Sequence, residues 1–219
     1  MQTDPHDDYA LGSVPFCGVQ VRLDSRPLIP RVETEYWVAE ALKSIPADSP
    51  VCVLDLFAGS GCIGLSILKH RPNTFVTFGE VEQSHLATIA ESIKDNALDQ
   101  RHVFLIHSDV WSAIDGRFDF IFANPPYISK ERNTVSESAL QSEPHEALFA
   151  DEDGYAYIRQ TIDGLPKALA NKGVCYIEHE PHHTDMLARH IQDIGFVIET
   201  KKDQYGVNRY SRIHRSAVA

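Results

Sequence analysis

Basic residues are scarce in this chain. It carries 20 Lys and Arg against 31 Asp and Glu, a net charge of −11. Holding long nucleic acid takes clustered Lys and Arg to neutralise phosphates. A surface built for that task is therefore not expected, although a local basic groove remains open. Cysteine is equally sparse. Cys17, Cys52, Cys62 and Cys175 form no CxxC pair, which excludes a disulfide framework and predicts buried free thiols. No apolar run reaches membrane-spanning length. The opening residues MQTDPHDDYA are acidic and polar, unlike a signal peptide. These absences together predict a reduced, cytoplasmic setting without a membrane anchor. Internal repeats and low-complexity tracts are also missing.

What is present is an ordinary globular composition, 43% apolar over 219 residues, enough for one domain with a full core. Residues 1–13 are expected to be disordered. Residues 14–48 are expected to form an extension: a hairpin from VPFCGVQVRLD, then a Pro-bounded loop and a helix from RPLIPRVETEYWVAEALKSI. Thr34 is the expected cap of that helix, with Tyr36, Trp37 and Ala41 packing. From residue 49 onward, apolar strands alternate with helical patterns. VCVLDL, TFVTFGE, HVFLIHSD, FDFIFA, GVCYIEHE and FVIETKKD read as strands, and GVNRYSRI can pair back onto the last of these. This alternation predicts an α/β fold with a mostly parallel sheet covered on both faces. One helical pattern is expected to break at Gly164-Leu165-Pro166. Residues 124–152 form the longest irregular stretch, and loops of that length are usually functional or mobile.

The first strand runs into a glycine turn, VLDLFAGSGCIG. Gly59 and Gly61 allow a ligand to approach the backbone closely, and the following helix points its N–H groups into the same crevice. Phe57 stands where a dinucleotide fingerprint would have its first glycine. A plain tight turn is the alternative. The next strands also end in acids: Glu80, with Glu82 two residues on, and Asp109. A carboxylate at the end of the second strand can accept from both ribose hydroxyls. One at the third can accept from an adenine amino group, and Asp55 can serve an ammonium. Between Glu80 and Glu82, Glu80 lies nearer the strand end. These groups meet the needs of S-adenosyl-L-methionine. The LDLFAGSG…GE…SD arrangement resembles the class I methyltransferases.

The strand DFIFA ends at Asn124-Pro125-Pro126-Tyr127. A planar amine or amide holds its nitrogen lone pair in conjugation. Two acceptors, the Asn124 side-chain oxygen and a backbone carbonyl of this segment, could fix such a nitrogen for methylation. The prolines stiffen the corner and offer no competing N–H. Tyr127 can lie against the planar group. A stiff turn closing a strand is the alternative.

NPPY alone does not separate adenine amino groups in RNA or DNA from glutamine amides. Flanking segments do. RPLIPRVETEYWVAEAL, NPPYIS and SEPHEALFADEDGYAYIRQTID together resemble the HemK/PrmC family of protein-(glutamine-N5) methyltransferases, over roughly residues 27–213. The resemblance implies a Rossmann-like class I methyltransferase domain over residues 49–219, with a seven-stranded sheet whose last strand is antiparallel. It implies S-adenosyl-L-methionine as cofactor, S-adenosyl-L-homocysteine as product, and the GGQ glutamine of a peptide chain release factor as substrate. Asn124, Pro125, Pro126 and Tyr127 match the catalytic loop. Asp55, Phe57, Ala58, Gly59, Ser60, Gly61, Glu80, Val81, Asp109, Val110 and Asn124 fall at cofactor positions. Arg31, Glu33 and Thr34 flank the active site on the substrate side.

The chain departs from the family in several places. Only about 30 residues precede the IPR segment, too few for the family's N-terminal helical domain, so an activator subunit or docking by the catalytic domain alone is implied. Phe57-Ala58 and Glu80 replace commoner residues. Glu178, His179, Glu180, His182 and His183 form an EHEPHH stretch that reads as a polar loop or, alternatively, as metal ligands; the family chemistry needs no metal. A nucleic-acid methyltransferase and an inactive cofactor-binding subunit remain the competing functions.

Overall fold

A computed structural model describes residues 5–132 and 135–216. The helices are α1 (Pro5–Leu11), α2 (Val32–Leu42), α3 (Cys62–His70), α4 (Gln83–Asp95), α5 (Glu137–Ser142), α6 (Ala156–Ala168) and α7 (Thr184–Asp193). The strands are β1 (Ser13–Phe16), β2 (Val19–Arg22), β3 (Cys52–Leu56), β4 (Phe75–Glu80), β5 (Val103–His107), β6 (Phe118–Ala123), β7 (Ile128–Ser129), β8 (Phe149–Ala150), β9 (Leu169–Glu178), β10 (Phe196–Lys202) and β11 (Asn208–Arg215).

Seven of these strands form one sheet in the order β10-β11-β9-β6-β3-β4-β5. β3 pairs parallel to both β4 and β6, and the parallel run continues to β5 on one side and β9 on the other. Only β11, the last strand of the chain, is antiparallel to its neighbours. This is the expected α/β class I methyltransferase sheet. The chain winds away from β3 in both directions. The crevice between the carboxyl ends of β3 and β6 is therefore the switch point where open α/β sheets bind ligands.

Period-two alternation divides the core between the two faces. Phe120 and Phe122 of β6 join a cluster with Trp37, Leu65, Phe78 and Ile89, under α2, α3, α4 and the β1–β2 hairpin. Ile121 and Ala123 point the other way, onto Ile158, Leu165 and Leu187 of α6 and α7. Trp37 stacks between Phe122 and Tyr210, with ring centroids 6.1 and 5.6 Å away. Among the described residues no helix is long and apolar enough to cross a membrane.

Four local expectations need correction. The stretch 1–13, read as disordered, holds α1 from Pro5 onward, while residues 1–4 lie outside the described residues. Tyr9 donates to the Pro27 carbonyl at 2.6 Å and the Arg26 guanidinium sits 4.2 Å over its ring, contacts with distant residues that a local reading does not see. The helix expected to break at Gly164-Leu165-Pro166 runs unbroken through them. Pro166 falls in the last turn, and the buried face of Ile158, Ile162 and Leu165 outweighs the local breakers. Thr34 does not cap α2: Arg31 holds the cap position, and Tyr36 points outward, exposed. Cys52 is exposed at the first residue of β3 and Cys17 is half-buried; only Cys62 and Cys175 are buried thiols.

Helix α3 presses directly on the sheet at Gly64. A Cβ built there would stand 2.2 Å from Phe78 Cε1, inside any allowed contact. Gly64→Ala should therefore destabilise the fold by about 1–3 kcal/mol. Urea denaturation of the variant would measure it, and a loss near zero would show that α3 is free to lift.

Candidate active site

The glycine turn leaves β3 at a sharp angle. Phe57, Gly59 and Gly61 all take positive φ, at 64°, 53° and 78°. For a bulky residue such as Phe57 the left-handed region costs about 1–3 kcal/mol, so surrounding contacts must hold it. Ala58 N–H donates to Gly79 O at 3.0 Å. The Phe57 ring meets Tyr157 edge-on at 5.7 Å. Gly61 has no room for a side chain, since a Cβ would lie 2.7 Å from Ile89 Cγ1.

Glu80, at the end of β4, reaches across to this turn. Its Oε2 accepts Gly59 N–H at 2.6 Å and its Oε1 accepts Glu82 N–H at 2.9 Å. Burial pulls its pKa up. His85 and these two N–H donors outweigh that, and the net shift is downward, so Glu80 is an ionised acceptor at the rim. Asp109 is exposed at the adjacent strand end, two residues beyond the His107 that pairs with Glu80. The next residue, Val110, is buried with φ 46°, and its carbonyl accepts from Ser108 Oγ at 2.8 Å.

These groups line a cavity of 260 Å³ that includes Phe57, Ala58, Gly59, Ser60, Glu80, Val81, Asp109, Val110, Asn124, Pro126, Arg31 and Thr34. Asp55 and Gly61 stand behind its wall. Asp55 is 1% exposed and its Oδ2 accepts Gly64 N–H at 2.9 Å, serving the otherwise uncapped start of α3. Its Oδ1 is buried with no hydrogen-bond partner. The expected ammonium contact of Asp55 therefore has no direct path to the cavity. Glu82 also contributes to the wall, and its backbone N–H donates to Glu80 Oε1 at 2.9 Å.

A second, more open cavity of 1070 Å³ adjoins the first and is lined by Glu33, Pro125, Tyr127, Glu178 and Arg209. Asn124 and Arg31 line both. Asn124 is half-buried at this junction, and its Nδ2 donates to Thr34 Oγ1 across 3.5 Å. Thr34 Oγ1 in turn donates to Glu178 Oε2 at 2.7 Å, which also accepts Trp37 Nε1–H at 2.6 Å. The Tyr127 hydroxyl donates to Glu178 Oε1 at 2.7 Å. Behind Tyr127, a turn of three left-handed residues, Glu152, Asp153 and Gly154, presses on its backbone. A Cβ on Gly154 would stand 2.1 Å from the Tyr127 carbonyl oxygen.

The EHEPHH stretch resolves into separate contacts. Glu178 faces the site, and His179 Nε2 meets Ser211 Oγ at 2.8 Å, with burial pushing its pKa down to about 4. His182 and His183 both reach the Asp153 carbonyl. Among the described residues no group of three or more His, Cys, Asp or Glu is arranged to hold a metal ion.

Three site residues escape the motif reading. His85 lies on the smaller cavity's wall, its buried Nδ1 unpartnered and 3.6 Å from Glu80 Oε1. Its position in the first turn of α4, facing back toward the strand end, was the available signal. Glu143 is buried and pairs with Arg31, while also accepting Ile29 N–H at 3.1 Å. Nothing in sequence joins residues 112 positions apart. Glu178 ends the strand beside the one that Asn124 follows, since Ala123 pairs with Ile177; strand register could have revealed it.

Arg31→Ala would leave the Glu143 carboxylate buried and unpaired. Breaking such pairs costs about 3–5 kcal/mol, and the 21% exposure of the Arg31 side chain places the expected loss at the lower end. Denaturation midpoints would show it. Burial raises the Asp55 pKa to about 8, with the Glu80 charge adding to the rise. The folded state thus binds a proton that the unfolded chain releases near pH 4. Asp55 stabilises the fold at low pH and loses that contribution as pH rises toward 8. Relative to Asp55→Asn, wild-type stability should fall across this window in urea titrations; parallel curves would contradict it.

Residues 39–151 match the family described as methyltransferase small domain. The release factor glutamine methyltransferase of Streptococcus pneumoniae is 36% identical over 206 residues, 92% of this chain and 72% of its own. The protein of the same name from Burkholderia pseudomallei is 32% identical, over 91% of this chain and 72% of its own. Among solved structures, a methyltransferase from Pyrococcus furiosus shares the fold with a TM-score of 0.65 at 16% identity, covering 96% of this chain and 92% of that one. Identity at this level across nine-tenths of the sequence, on a methyltransferase sheet, means that the chain belongs to the release factor glutamine methyltransferase family.

Proposed function

We propose that this protein holds S-adenosylmethionine in the smaller cavity and methylates the side-chain amide nitrogen of a release-factor glutamine that enters through the larger one. The observation that carries this reading is Asn124, placed where the two cavities meet.

The residues fit the cofactor. Glu80 is an ionised acceptor already tied to the glycine turn, suited to a pair of ribose hydroxyls. His85 lines the same wall, with its Nδ1 3.6 Å from Glu80 Oε1. Asp109 lines the same cavity, where an amino group can donate to it. When bound, the cofactor supplies a sulfonium-activated methyl group.

The protein must present the amide nitrogen to that methyl group. Resonance holds the amide lone pair in conjugation, as the ~18–20 kcal/mol barrier to C–N rotation shows. Two neutral hydrogen bonds at about 0.5–1.5 kcal/mol each cannot undo it. Orientation can contribute about 7–11 kcal/mol. Positioning is therefore the main task of this site. Asn124 Oδ1 and a carbonyl of the 124–126 segment accept the two amide protons, and Pro125 and Pro126 add no donor that would oppose them. Selective bonding to the partly pyramidal nitrogen comes second. No strong base is required, because the alkylated nitrogen is acidic and sheds its proton afterwards.

The test is methyl transfer from labelled cofactor to a release factor, to its GGQ→GGA variant, and to transfer or ribosomal RNA. Label on the first alone is expected, and label on RNA but not on the factor would overturn the reading. Asn124→Ala should lower kcat by about a hundredfold with adenosylhomocysteine affinity unchanged by calorimetry. Glu80→Ala should do the reverse, weakening that affinity by about tenfold or more.

A further inference from the structure

We infer that Glu178 and Thr34 are positioning residues that dictate which end of the Asn124 carboxamide faces the methyl acceptor. The inference rests on the reaction proposed above and follows from the direction of each hydrogen bond in one buried chain.

The indole of Trp37 can only donate. Its N–H lies 2.6 Å from Glu178 Oε2, and Thr34 and Tyr127 donate to the same group, so Glu178 acts as a carboxylate that accepts on both oxygens. Thr34 Oγ1 lies 2.7 Å from the same Oε2. Both lone-pair directions of Oε2 are then taken by donors, and the single hydroxyl proton of Thr34 is committed to Glu178. Toward Asn124, Thr34 can offer only an acceptor. The group of Asn124 that turns to Thr34 is therefore its NH2, as the 3.5 Å contact from Nδ2 has it. Its Oδ1 is left for the foreign amide.

A free Asn side chain presents oxygen or NH2 with similar ease, and the two are near-isosteric. Reversed, Asn124 would set two N–H donors against the N–H donors of the acceptor. A donor-only indole three hydrogen bonds removed thus fixes the polarity of the catalytic corner. The parts are rigidly held. Trp37 and Thr34 lie on the first two turns of α2, with 0% and 1% exposure, and Glu178 ends β9 with 1%. The Tyr127 hydroxyl on Oε1 completes the carboxylate's shell without touching this logic, since a hydroxyl can donate or accept.

Thr34→Val keeps the shape of the side chain and removes the hydroxyl. It should lower kcat by about tenfold while adenosylhomocysteine affinity stays near wild type, with a modest fall in melting temperature because Glu178 loses one of its three donors. Thr34→Ser should restore most of the rate. Glu178→Gln should also retain most of it, because its amide oxygen can occupy the Oε2 place while its NH2 faces the Tyr127 oxygen. In the cofactor-free protein, Asn124 side-chain amide protons observed by NMR should exchange with solvent faster in Thr34→Val than in wild type. Full kcat in Thr34→Val, or unchanged amide exchange, would overturn the inference. If the wild type fails to methylate any release factor, the proposed function falls, and the amide exchange still decides this point by itself.

Discussion

Taking a carboxylate out of water costs several kcal/mol unless donors replace the lost solvent. Glu178 is 1% exposed and receives Trp37, Thr34 and Tyr127. Burial raises its pKa, and those three donors work against the rise. Two of them come from α2, which precedes the sheet in sequence, and the third from the loop after β6. One carboxylate at the end of β9 therefore ties the segment ahead of the sheet to the Asn124–Tyr127 corner. Arg31 and Glu143 make a second tie, joining the start of α2 to the irregular stretch beyond Asn124. The two cavities exist because these bonds hold the IPR segment as a common wall.

The smaller cavity depends on another kind of constraint. Phe57 and Val110 both adopt left-handed backbone on its wall, an unfavourable conformation for either residue. The first is held across strand ends, by Ala58 N–H on Gly79 O; the second is closed within its own loop, by Ser108 Oγ on the Val110 carbonyl, and that loop is tied to β4 by Ser108 N–H on Glu80 O at 2.9 Å. Glu80 bridges the first turn to the start of α4. Cavity-lining residues are thereby fixed both within their loops and by neighbouring strand ends, which is how a parallel sheet can present loop residues with little freedom.

Period-two and period-3.6 patterns carried the sheet, because burial on both faces leaves a strong local signal in β3, β4, β6 and β9. That Glu80 and the NPPY corner stand at strand ends was legible for the same reason. The orientation of Asp55 was not legible, because sequence shows that a residue sits at a turn, not whether its carboxylate faces outward or back to Gly64 N–H. The helix through Pro166 was misread because a local breaker was weighed without the tertiary face beneath it. Glu143 and Glu178 went unseen as partners since their roles arise from pairings over a hundred residues apart. Glu178 shows the difference most plainly: as part of EHEPHH it suggested an ion, and in space it is an acceptor for organic donors.

The turn behind Tyr127 has a mechanical meaning. Gly154 lies so close to the Tyr127 carbonyl that not even a methyl group fits between them. The corner that meets the incoming chain consequently has its back against a wall. It cannot recoil to accommodate a poorly shaped guest, and any bending needed for entry must be done by the guest. A segment already free to arch, such as a flexible loop tip, would enter at little conformational expense, whereas a residue embedded in helix or sheet would first have to unwind.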